Sequence, residues 1–202
     1  MEATVAEAAI LPVDDRDRAV LKAFADDADA TLAFQGIRRS LNLHPEKLSR
    51  ALRRLEEAGV IAHTKDGYKL TEAGVKAVPS ADAPRSERLT VLDTMVPPTV
   101  TAEAAVEQLK LRWFASLRWV GFTAHGGAVV LRWVTDDGRK RVTATLDGGR
   151  LLVDVEGDLT GGVTDAIAGA QAIFGQITRA AARGLGAEES AVTWHESERP
   201  ST

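Results

Sequence analysis

Residues 34–61 read Phe34-Gln35-Gly36-Ile37-Arg38-Arg39-Ser40-Leu41-Asn42-Leu43-His44-Pro45-Glu46-Lys47-Leu48-Ser49-Arg50-Ala51-Leu52-Arg53-Arg54-Leu55-Glu56-Glu57-Ala58-Gly59-Val60-Ile61, and their pattern decides the fold. Leu48, Ala51, Leu52 and Leu55 fall within about a third of a helical wheel, which marks a face turned to a core. Opposite them lie Glu46, Arg50, Arg53 and Glu57, flanked by Lys47, Ser49 and Arg54. Pro45 suits the first helical position and Gly59 a helix stop, so the spacing predicts a helix over 45–58 with His44 as its cap.

Upstream, Ala19, Val20, Leu21 and Phe24 recur at helical spacing over 18–25, and Asp14, Asp15 and Asp17 supply negative charge at that helix's start. Leu32, Phe34, Ile37 and Leu41 predict a second helix over 32–41. Downstream, two short alternating runs on either side of Lys65-Asp66-Gly67 predict a β-hairpin over 61–71, and 71–76 opens a short fourth helix. Three helices, a hairpin and a helix, in that order, are the layout of a winged helix.

The proline-bracketed, small-residue segment at 79–88 reads as a linker, which sets the first domain at 1–78. After it, strand patterning begins at 89–96, and Thr101 caps a predicted helix over 102–109. Four strands follow, at 112–124, 128–135, 139–146 and 150–156, separated by glycine-containing turns that make an antiparallel meander the simplest connection. A long helix over 163–183, with Val163, Ile167, Ala170, Phe174, Ile177 and Ala181 as its buried stripe, closes a second domain at 89–184. Gly169 and Gly175 on it would allow close packing of another helix, in a dimer or internally. The expected class is α+β: an N-terminal winged helix, then an α+β domain with an antiparallel meander and a long C-terminal helix. Residues 185–202 are expected to be a flexible tail.

The chain has 202 residues, 45% of them hydrophobic and none cysteine, which excludes a disulfide scaffold and a cysteine-ligated zinc site. No signal-peptide pattern and no membrane-length apolar run is present, so a cytoplasmic location is expected. The net charge of −4 argues against nucleic acid for the chain as a whole. The distribution of that charge points the other way: between Arg38 and Arg54 lie six basic residues and one acid, while residues 81–202 carry 13 basic and 16 acidic residues. Concentrated positive charge on one helix is the footprint that DNA requires, with Arg or Lys addressing guanine edges, Glu accepting from cytosine, and further arginines holding phosphates.

This segment with its Asp-Gly hairpin resembles the winged helix-turn-helix of MarR/ArsR-like transcriptional regulators of bacteria and archaea, over residues 16–78. The resemblance implies that the third helix reads the major groove and the wing touches the flanking backbone or minor groove. By position it assigns base reading to Glu46, Lys47, Ser49 and Arg50, and phosphate contact to Arg38, Arg39, Arg53 and Arg54. It places Lys65, Tyr68 and Lys69 as wing contacts, and His44 at the DNA-facing helix start. The meander domain departs from the architecture of those families, so their effector and metal chemistry does not carry over.

In the second domain, strand parity places Trp113 and Trp119 on one face, with Trp133 in the matching set of the next strand. These rings read first as sheet core and second as an aromatic-lined effector pocket or dimer face. Arg118 and Arg132 fall on the opposite face as neighbours, either solvated or receiving an anionic ligand or acidic partner. The histidines are scattered without metal-ligand spacing, and Gly157 to Gly162 lacks the lysine of a phosphate loop, so no metal, no cofactor and no enzymatic activity are expected. The reading is a sequence-specific, double-stranded-DNA-binding transcription regulator acting as a homodimer. The alternative is an adaptor whose two domains bind other proteins.

Overall fold

A computed structural model describes residues 14–25, 27–78 and 87–189 of the chain. The first helix, α1, spans Asp15–Lys22 and buries Val20 and Leu21, with Phe24 following in the turn behind it. Thr31–Leu32 then forms a two-residue strand, β1, before α2 (Phe34–Ser40) and α3 (Pro45–Glu57). The expected second helix thus starts two residues late. A two-residue strand offers no period to read, and Leu32 serves the sheet instead, opposite Tyr68 on one side and Gly121 on the other.

Val60 and Ile61 carry the chain from α3 into the hairpin of β2 (Ile61–Thr64) and β3 (Gly67–Leu70). Gly67 is needed for close approach: a Cβ there would stand 2.4 Å from the carbonyl oxygen of Leu32. Thr71 caps α4 (Glu72–Ala77) by accepting a hydrogen bond from the Gly74 amide at 3.1 Å, and its hydroxyl donates to the Gly59 carbonyl at 2.6 Å. The core of this part joins Phe24, Ile37, Leu48, Leu52 and Ile61.

The remaining elements are β4 (Arg88–Met95), α5 (Ala102–Leu109), β5 (Leu117–His125), β6 (Ala128–Thr135), β7 (Lys140–Asp147), β8 (Arg150–Gly157) and α6 (Thr164–Glu189). Strands β5 to β8 form the expected antiparallel meander, and β4 returns to pair with β8. Thr101 caps α5 by accepting from the Ala104 amide at 3.1 Å. Helices α5 and α6 cover one face, over a core that includes Leu117, Trp119, Leu131, Trp133, Val153 and Ile173.

The sheet is continuous. Its eight antiparallel strands run β2-β3-β1-β5-β6-β7-β8-β4, so β1 joins the hairpin to the meander. Gly36 and Gly121 make that join possible: a Cβ on Gly36 would lie 2.5 Å from Val120 Cα, and one on Gly121 would lie 2.1 Å from the Thr31 carbonyl oxygen. Val120 and Val134 pack into the N-terminal core from the sheet's other face. Of the expected linker, residues 79–86 lie outside the described residues and Arg88 already begins β4.

Three expectations are corrected here. The strand expected over 112–124 starts at Leu117; residues 112–116 form a loop bounded by left-handed Leu111 (φ 60°) and Ala115 (φ 51°). The helix expected to end near 183 continues to Glu189, so only 190–202 of the expected tail fall outside the described residues. On α6 the buried residues are Ala166, Ala170, Ile173, Ile177 and Ala181, whereas Ile167 is exposed and Val163 and Phe174 are half-buried. Gly169 is spent internally, since a Cβ there would meet Leu117 Cδ1 at 2.2 Å, while Gly175 faces open space.

Candidate nucleic-acid interface

Helix α3 buries Leu48, Ala51, Leu52 and Leu55 against α1 and β2, as its apolar stripe requires. Glu46, Lys47, Ser49, Arg50 and Arg53 are consequently exposed together on its outer face. Arg50 lies 3.8 Å from Glu46, and Arg53 donates to Glu57 at 2.8 Å, both as i,i+4 pairs. Such exposed pairs contribute little and exchange readily for another anion. His44 occupies the cap position, but its side chain makes no capping hydrogen bond, so Pro45 sets the helix start without it.

Arg54 stands apart from that set. Its Nη2 and Nε reach the two carboxylate oxygens of Asp17 at 2.5 and 3.1 Å, and Nη2 also lies 3.6 Å from Asp14. Asp17 is buried, so the acid read as a helix-start charge is instead the anchor between α1 and α3. Arg54 is thereby occupied by the protein's own carboxylates rather than presented with Arg50 and Arg53.

At the C-terminal end of α2, Arg38 donates to Gln35 at 2.8 Å, and Arg39 rests 5.4 Å from the centre of the Trp113 ring. Burial, with Arg38 and Arg118 nearby, lowers the Arg39 pKa. In the hairpin, Lys65 and Lys69 are exposed, while Tyr68 is half-buried and stacks on His63 with ring centres 4.7 Å apart. Burial, then the charge of Glu56, raises the Tyr68 pKa and keeps its hydroxyl protonated. The hairpin turn is tied down at Asp66, which Lys110 approaches to 3.5 Å.

The second part's aromatic and arginine residues divide differently from their sequence parity. Trp119 and Trp133 are buried and meet edge to face at 5.3 Å, so they are sheet core and do not line an open pocket. Trp113 does not share their face: it sits in the 112–116 loop, 59% exposed. A bulge at Val120 also breaks the strand's alternation, setting Trp119 opposite Trp133 but Gly121 opposite Arg132. Arg118 and Arg132 are therefore separate. Arg118 pairs with Asp136 at 2.6 Å and lies 4.4 Å over the Trp113 ring, whereas Arg132 bonds Asp27 and, at 2.8 Å, Thr123.

Sequence reading misses the loop because no Gly or Pro separates Leu109 from Leu117, and it misses the contacts of Lys110, Arg112 and Arg179 for want of any motif. His125 ends β5 exposed, and His195 lies outside the described residues. No described helix is long and apolar enough to cross a membrane. No protein-family model, no curated protein and no solved structure matches the chain.

Proposed function

We propose that the chain is a sequence-specific duplex-DNA-binding regulator whose N-terminal part acts as a winged helix. One observation carries the reading: α3 packs through a single apolar face and leaves Lys47, Arg50 and Arg53, with Glu46 and Ser49, together on an open surface. A helix of that width enters the major groove, where these side chains have the donors and acceptors that base edges and phosphates require. Base reading falls to Glu46, Lys47, Ser49 and Arg50, and phosphate contact to Arg38, Arg39 and Arg53. Lys65 and Lys69 supply hairpin contacts to the flanking backbone.

One such helix reads few base pairs, so the regulator acts as a homodimer on two half-sites. A gel-shift titration on the chain's own promoter region tests the proposal. Wild-type protein retards the fragment with steep salt dependence. The Arg50→Ala, Arg53→Ala double variant abolishes the shift at the same concentrations, and unchanged affinity in that variant would overturn the assignment.

A further inference from the structure

The loop between α5 and β5 carries cations that α3 does not use, and the inference drawn from it rests on the DNA reading above. Leu111 and Ala115 hold this loop in left-handed turns at both ends, and Phe114 anchors it in the core. Trp133 fixes its centre by donating from Nε1 to the Arg112 carbonyl at 3.1 Å. A loop so restrained presents Trp113 and Arg112 in set directions. Trp113 lies under Arg39 of α2, and Arg112 lines an open cleft of about 400 Å³ with Gln176, Arg179 and Ala182 of α6.

Among the described residues, Arg39, Arg112 and Arg179 have no carboxylate at ion-pairing distance. Arg118, by contrast, gives its charge to Asp136 and serves to hold the Trp113 ring from the other side. The three guanidiniums do not converge on one pocket: Arg112 and Arg179 share the cleft, whereas Arg39 lies on α2, two residues before the turn residue Leu41 and so beside the start of α3. Cations strung along a surface match a polyanion rather than a compact anionic metabolite. We infer that Arg39, Arg112 and Arg179 form a phosphodiester track that holds the DNA flanking the α3 site, with Trp113 positioning Arg39. The α+β part is then a second, sequence-independent DNA contact.

The test uses the full chain and duplexes of about 30 base pairs enriched by wild-type protein from a random pool, with affinity measured across a salt series. Each phosphate contact contributes about 0.9 to the slope of log affinity against log salt, so Arg112→Ala with Arg179→Ala makes the slope shallower by about 1.8. The enriched base preference stays the same in that variant. Lysine at both positions, which keeps the point charges, restores the slope. Both positions are at the surface, and thermal melting confirms that each variant folds. If the alanine variant keeps the wild-type slope, or lysine fails to restore it, while Arg50→Ala still disrupts recognition, the track is wrong and the α3 reading stands. If wild-type protein enriches no duplex, the track falls together with the DNA reading.

Discussion

Arg54 of α3 grips Asp17 of α1 through two hydrogen bonds, at 2.5 and 3.1 Å, and the Asp17 side chain is only 6% exposed. The bidentate fork suits guanidinium and carboxylate geometry, and Lys in its place would offer a single point charge. The arginine at this position therefore secures the angle at which α3 stands on α1. Arg54→Ala is expected to lower the melting midpoint by several degrees, because it leaves a buried carboxylate without its cation. Thermal denaturation checks this, and base preference on an enriched duplex remains that of the wild type.

The join between the two cores has its own ion cluster, in which Asp27 accepts from Thr123 and Arg132. Burial opposes ionisation of Asp27, but the Thr123 hydrogen bond and the Arg132 charge outweigh it and hold the carboxyl below its ordinary 3.8. A depressed folded-state pKa contributes stability above the unfolded value and loses it as pH falls toward the folded one. Asp27→Asn is thus expected to cost about 2 kcal/mol near neutral pH, with the gap from wild type narrowing below about pH 4. Urea denaturation across a pH series measures that gap.

Gly36 lets α2 lie directly on β5, where a Cβ would stand 2.5 Å from both Cα and the carbonyl oxygen of Val120. Backbone atoms cannot yield as a side-chain tip can. Gly36→Ala should cost about 1–3 kcal/mol despite the better helix propensity of alanine. Chemical denaturation of the variant reads this directly, and a stabilised protein would show that α2 does not sit on β5 in this way.

Helix α3, the meander and both Thr caps are legible in the sequence because each carries a full local signal: an apolar stripe, alternating runs divided by glycine turns, or a hydroxyl before a helix. The continuous sheet is not legible. It depends on the two-residue β1, whose Leu32 partners Tyr68 and Gly121 across long sequence separations, and on glycines whose role is close approach rather than turning. At the site, the exposed set Lys47, Ser49, Arg50 and Arg53 follows from the helical wheel. The capture of Arg54 by Asp17 does not, since a single helix cannot reveal what a neighbouring helix offers it. Strand parity misplaces Trp113 because it extends through a loop that contains no Gly or Pro.

Glu57 accepts from Arg53 at 2.8 Å on the open face of α3. An exposed pair of this kind competes with phosphate for the same guanidinium while also placing a negative charge near the DNA. Glu57→Gln is expected to raise affinity for an enriched duplex severalfold without changing the preferred bases. Fluorescence anisotropy at fixed salt checks both effects.

Lys65 and Lys69 are exposed on the hairpin, whose turn Lys110 holds through Asp66. Their joint replacement by Ala should weaken binding to all duplexes alike and reduce the salt slope by about 1.8, as two lost phosphate contacts require. A titration on matched and mismatched duplexes separates this uniform loss from a change in specificity.

Whether α3 reads base edges is decided by selecting duplexes from a random pool with wild-type protein and with Arg50→Ala in parallel. Wild-type protein should enrich one motif, and the variant should lose discrimination at a single base pair, worth about 1–3 kcal/mol, while keeping the rest. No enrichment by wild-type protein, or an identical motif from Arg50→Ala, would refute base reading by this helix.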